Sequence, residues 1–133
     1  MENTELIRYR RALKRKNYSV HTLKSYMNIL DHFVKWAPMP LSEVTPKEVG
    51  LYVDHLLQKR RTPKTITCHL QTIRLFFEHV IQEEGIPTAN PVTRISIRLP
   101  KPLPRHLKDD QVTRLLGIIT DVRDRAIFML MLR

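Results

Sequence analysis

Residues 62–85 read TPKTITCHLQTIRLFFEHVIQEEG, and this stretch decides the fold. Ile66, Leu70, Ile73, Phe77 and Val80 recur at intervals of three and four, which is one face of an α-helix. Lys64, Thr67, Gln71 and Arg74 run down the opposite face, whose charge is purely basic until Glu78. Thr62 can cap the helix and Pro63 suits its first position. Gly85 can take the left-handed conformation that closes it, Ile86 can fold back on Ile81, and Pro87 prevents continuation. One helix with an apolar face and a basic, hydrogen-bonding face points to an all-α domain that meets a polyanion.

Three more helices precede it. The first is expected over about Thr4 to Lys16, with Leu6, Tyr9 and Leu13 inward and Arg8, Arg11, Lys14 and Arg15 outward. Asn17-Tyr18 breaks the pattern, and Ser19 can cap a second helix running to about Trp36. Its core stripe is Val20, Leu23, Met27, Leu30 and Val34, widened by Tyr26 and Phe33, and its outer stripe is His21, Lys24, Ser25, Asn28 and Lys35. Pro38-Met39-Pro40 makes a turn. Thr45-Pro46-Lys47-Glu48 then starts a third helix, since Glu48 can reach back to the cap. It buries Val49, Val53, Leu56 and Leu57 and stops near Arg60-Arg61.

From Asn90 to His106 the character changes. Pro91, Pro100, Pro102 and Pro104 forbid a long helix, and Arg94, Arg98, Lys101 and Arg105 come with no acidic residue between them. This reads as an extended basic linker over 91–106, following a first domain over 1–90. Helical pattern returns at about Asp109, with Val112, Leu115 and Leu116, and again over Ala126 to Leu132, where Asp121 can cap. The last segment, AIFMLMLR, is apolar on nearly every side, which is expected of a helix buried inside a domain. The expectation is that 107–133 is the opening fragment of a second domain.

Composition narrows the class of partner. The chain has 133 residues and a formal net charge of +10, with a pI near 10.2. That balance favours nucleic acid or an anionic membrane surface. No apolar run approaches the ~20 residues needed to span a bilayer, and Met1-Glu2-Asn3-Thr4-Glu5 lacks the basic-then-apolar pattern of a signal peptide. The single cysteine, Cys68, can form no internal disulfide, which fits a reducing cytoplasm, and it is expected to be a small packed side chain. The six histidines, His21, His32, His55, His69, His79 and His106, show no metal-binding spacing, so no metal is expected; no cofactor and no small-molecule substrate is expected either.

The residues also resemble the tyrosine recombinase (phage integrase) family. Ser19-Val20-His21-Thr22-Leu23-Lys24-Ser25-Tyr26, with Leu30, Phe33 and Trp36, is similar to the start of its N-terminal SAM-like, or core-binding, domain. Thr65-Ile66, Leu70, Ile73-Arg74, Phe76-Phe77 and Asn90-Pro91 follow in the family's order. Leu103-Pro104-Arg105-His106-Leu107, then Val112 with Leu115-Leu116, and Arg123-Asp124-Arg125-Ala126, resemble the entry to its catalytic domain. No single motif is very specific, but their order along the whole chain is. Two departures are Lys108, where Ser or Thr usually caps, and Gln71, where a small residue is common.

The resemblance implies a protein that cuts and rejoins DNA without metal or ATP, through a tyrosine nucleophile and charge-stabilising arginines. It places the first catalytic arginine, in a Thr-Gly-Leu-Arg segment, after Arg133. The catalytic Arg, Lys, His and Tyr are therefore expected to be absent here, leaving binding rather than catalysis. Tyr26 and Tyr52 are expected to pack at or near the core.

In the family the second and fourth helices cross the major groove. On the second, the implied contacts are Ser19, His21, Thr22, Lys24, Ser25 and Asn28. On the fourth they are Lys64, Thr65, Thr67, Gln71 and Arg74, with Lys64 on a phosphate and Gln71 and Arg74 toward base edges. Arg60, Arg61, Arg98, Lys101 and Arg105 add backbone attraction. The expected partners are duplex DNA and further recombinase protomers on it, with no membrane. The bland reading of each side chain is a solvated polar residue. The alternative for the whole is a non-catalytic helical module that binds DNA or another protein.

Overall fold

A computed structural model describes residues 4–85, 89–101, 103 and 106–132. The architecture is all-α, as the periodicity requires: α1 (Thr4–Arg15), α2 (Val20–Trp36), α3 (Pro46–Gln58), α4 (Pro63–Glu84), α5 (Asp109–Ile118) and α6 (Val122–Met131), with one 3₁₀ turn at Leu41–Glu43. Among the described residues there is no strand. The chain divides into two units, Met1–Leu99 and Pro100–Arg133.

The first unit gathers α1, α2 and α4 around one core, with α3 closing it. Leu30, Phe33, Val49, Tyr52, Leu56, Ile66, Ile73 and Phe76 are essentially inaccessible to solvent. They come from three helices, so the core exists only once the helices have met. Aromatic edges lock it: Phe33 meets Tyr52 edge-on at 5.0 Å between ring centroids, and Tyr9 meets Phe76 in the same way at 5.3 Å.

The helix boundaries follow local chemistry. Ser19 Oγ accepts the Thr22 N–H at 3.2 Å, and Thr62 Oγ1 accepts the Thr65 N–H at 3.3 Å. At α3 the Glu48 carboxylate accepts the Thr45 N–H at 3.0 Å and the Thr45 hydroxyl as well, which holds the Glu48 carboxyl below its ordinary pKa. The C-terminal ends of α1 and α3 close in the same manner without glycine. Asn17 and Arg60 take left-handed backbone angles, φ 60° and 55°. The next amides then reach back to the helix: Tyr18 N–H to Leu13 O at 3.2 Å, and Arg61 N–H to Leu56 O at 3.1 Å. Gly85, φ 61°, ends α4 as expected, while Ile86 and Pro87 lie outside the described residues.

Three expectations need correction. Val20 is 78% exposed, because it opens α2 at the rim, where no other helix reaches over it. Leu57 is 53% exposed, because Leu56 turns inward and its neighbour, about 100° further round the helix, turns out. Cys68 is exposed on α4 rather than packed. In return, Phe33, Tyr52 and Phe76 sit at the centre.

The stretch after α4 is not free. Asn90 Nδ2 donates to the Arg74 carbonyl at 2.9 Å, and Asn90 Oδ1 accepts the Val92 N–H at 3.0 Å. Val92 is buried, and Ile95 and Ile97 pack against the core. Residues 90–97 thus form a strap on the first unit.

In the second unit, Lys108 has no acceptor to cap α5, and Gln111 Oε1 instead accepts the Lys108 N–H at 3.0 Å. The Asp121 carboxylate caps α6, accepting from Arg123 N–H at 2.8 Å and Asp124 N–H at 3.3 Å. α6 is not buried: Leu130 is 71% and Met131 76% exposed. Two helices of ten residues each offer too little surface to enclose one that is apolar all round. No described helix is long and apolar enough to cross a membrane.

Candidate nucleic-acid interface

α2 and α4 pack against each other and bury their apolar faces, which leaves their polar faces to solvent. On α2, His21, Lys24, Ser25 and Asn28 are exposed along one stripe. Ser19 and Thr22 share a hydroxyl contact of 2.9 Å at the helix start, so their side chains are already engaged in capping. On α4, Lys64 and Gln71 are exposed. Thr65 pairs with the Thr62 hydroxyl at 2.9 Å, and Thr67 donates to the Pro63 carbonyl at 2.9 Å. Neither helix carries an acidic residue in its first turn, so both positive ends are uncompensated.

Arg74 differs from the other candidates. Its guanidinium lies 3.7 Å from Glu78 Oε1, its side chain is 42% exposed, and its Nε is buried without a hydrogen bond. The strap runs beside it: Thr67, Gln71 and Arg74 line a shallow groove with Ile95 and Ile97. The acidic side chains on α4 begin here, with Glu78, then Glu83 and Glu84, the last paired with Arg8 at 3.0 Å. The basic face of α4 therefore ends at Arg74.

Arg60 and Arg61 are exposed in the tight turn before α4. Arg98 is exposed at the end of the first unit, and Lys101 is exposed in the second. Arg105 lies outside the described residues.

One group was missed by reading the sequence. His32 stands four residues beyond Asn28 on the outer stripe of α2, and its ring is 6.4 Å from both His55 of α3 and His69 of α4. His69 Nδ1 is 2.9 Å from the Tyr52 hydroxyl. Burial and the nearby His32 and Arg61 lower the His69 pKa, while burial pushes the Tyr52 phenol up to about 12. The available signal was the i, i+3, i+7 spacing of Ser25, Asn28 and His32. Among the described residues no group of three or more His, Cys, Asp or Glu is placed to hold a metal ion.

Comparison with known proteins bears on the family and the fold. The family model described as "Phage integrase, N-terminal SAM-like domain" matches residues 6–86. A tyrosine recombinase XerC of Thermodesulfovibrio yellowstonii is 29% identical over 121 residues, covering 86% of this chain and 40% of that protein. A tyrosine recombinase XerC of Vibrio vulnificus is 31% identical over 125 residues, covering 87% of this chain and 39% of that one. The crystal structure of XerA recombinase superposes with a TM-score of 0.61 at 21% identity, over 88% of this chain and 40% of that chain. The chain thus spans about 40% of the length of these curated relatives.

Proposed function

The chain belongs to the phage integrase family and carries the N-terminal SAM-like domain of a tyrosine recombinase, and from that premise we propose that it binds duplex DNA through the polar faces of α2 and α4. The observation that carries the reading is the absence of acid from the first turns of both helices, together with their exposed Lys, His and amide side chains. Lys24 and Lys64 attract backbone phosphate, as do Arg60 and Arg61 at the turn. Asn28 and Gln71 present amides that suit adenine edges in the major groove. Arg98, at the end of the first unit, adds charge there, and Lys101 and Arg105 add charge in the sequence that follows.

In this reading the chain supplies the grip for a site-specific recombinase. The protein to which it belongs breaks and rejoins DNA, working with further protomers on the same duplex. The residues named here hold and position DNA and do no covalent chemistry.

The test is a titration with duplex DNA at several salt concentrations. The expected result is a Kd near 10⁻⁴ to 10⁻⁶ M for non-specific duplex at about physiological salt, weakening steeply as salt rises. Binding that ignores salt overturns the proposal and favours a protein-interaction module.

A further inference from the structure

His32 and His69 come from different helices and meet at the seam between α2 and α4, with ring centroids 6.4 Å apart. His32 is exposed at the end of the α2 stripe, and His69 is half-buried. The Tyr52 hydroxyl has one proton and one near partner, His69 Nδ1. With Tyr52 as donor, His69 is neutral and carries its proton on Nε2, the nitrogen on the far side of the ring. The groups that bear on this pair are basic or neutral. Arg61 approaches from the turn before α4, and His55 and Tyr52 face it from α3. On α2, the neighbouring Asp31 is taken up by Lys35 at 2.7 Å. Among the described residues no carboxylate pairs with either imidazole to neutralise the cluster when it gains protons.

We propose that His32 and His69 form a proton-linked contact for a DNA backbone phosphate at the α2–α4 seam, an inference that rests on the DNA-binding reading above. A phosphate placed against His69 Nε2 and the His32 ring supplies the missing negative charge. It favours the doubly protonated imidazolium that burial and Arg61 oppose in the free protein. Tyr52 then switches from donor to acceptor toward Nδ1–H, so the same 2.9 Å contact serves both states. Binding takes up protons, and affinity rises as pH falls.

The experiment is anisotropy of the full chain with a duplex carrying a rhodamine dye, from about pH 8 to about pH 6 at fixed ionic strength, spanning the imidazole range. Affinity should tighten on acidification by up to about tenfold for each histidine whose pKa rises one unit in the complex. His69→Asn keeps an acceptor for Tyr52 at the Nδ1 position and removes Nε2. His32→Gln removes an exposed imidazole that plays no part in the core. Each should reduce the pH dependence, while His79→Gln, which alters a histidine beside Tyr9, should retain it. Salt-sensitive binding with an unchanged pH dependence in both His32→Gln and His69→Asn overturns this proposal alone. Absence of binding at every pH overturns the DNA-binding reading, and this proposal with it.

Discussion

Asn90 donates through Nδ2 to the backbone carbonyl of Arg74 at 2.9 Å, so the chain leaving α4 is tied back to the middle of that same helix. The same side chain accepts the Val92 N–H, and the two bonds turn the chain so that Val92 enters the core. Asn90→Ala removes both partners at once. We expect a loss of about 1–3 kcal/mol in urea unfolding, from buried polar groups left unsatisfied.

The core makes a contrast that the pattern of the sequence alone does not. Phe33 is buried against Tyr52 and Phe77, so Phe33→Ala should cost about 3–5 kcal/mol. Val20→Ala on the exposed rim should fall within about 0.5 kcal/mol of the parent. Equal losses at the two sites in thermal or chemical unfolding would reject the assignment of the core.

That contrast marks how far the sequence carried. Thr62-Pro63 and Thr45-Pro46 announced two helices because capping is local: the cap, the proline and the amides it satisfies lie within four residues. Side-chain periodicity located the inward faces but not which neighbour covers each turn, so Val20 and Leu57 were assigned to a core that does not reach them. The strap was hidden because Pro91 and Arg94 open a proline- and arginine-rich run that resembles a solvated linker, and only Asn90 reaching back sixteen residues to Arg74 reveals otherwise. The histidine cluster was hidden for a similar reason. His32, His55 and His69 are far apart in the chain and share no motif.

Arg60 should separate stability from binding. It holds a left-handed backbone, φ 55°, that costs a side-chain-bearing residue about 1–2 kcal/mol. Arg60→Gly should therefore raise the unfolding free energy by roughly 1 kcal/mol. On the DNA-binding reading it should also weaken the complex and reduce the salt dependence. A variant that gains neither stability nor loses affinity would remove Arg60 from both roles.

Lys64 and Glu78 test the two ends of the basic face of α4. Lys64→Ala should weaken binding to all DNA sequences alike, lowering the salt slope by about one. Glu78→Gln releases Arg74 from its 3.7 Å neighbour. It should tighten DNA binding by about twofold, the ~0.3–0.5 kcal/mol of an exposed i, i+4 pair. Weaker binding after Glu78→Gln would mean that Glu78 positions Arg74 rather than competing for it.

Stability should fall on both sides of neutral pH, for different reasons. Tyr52 titrates near 10 when unfolded and near 12 when folded, so the unfolded chain ionises first. Its contribution is complete below about pH 10 and is lost as pH rises toward about 12; Tyr9, raised by burial, adds to this. His69 is lowered by burial, His32 and Arg61. Its contribution is present above the ordinary imidazole value of 6.5 and is lost as pH falls through the depressed folded value. Thermal unfolding across pH should show both shoulders, with His69→Asn flattening the acid one and Tyr52→Phe the alkaline one. An acid shoulder untouched in His69→Asn would assign it to other groups.

Cys68 is the sole thiol of the chain, and it stands in the open on α4, next to His69 and one turn beyond Lys64. The molecule therefore carries a natural handle for a maleimide fluorophore or a nitroxide, with no engineered cysteine and no competing thiol. A spectroscopic reporter can be seated within a few ångströms of the imidazoles whose charge is in question. The same openness dictates handling: in air, two chains can cross-link through this sulfur, so a reductant belongs in every buffer.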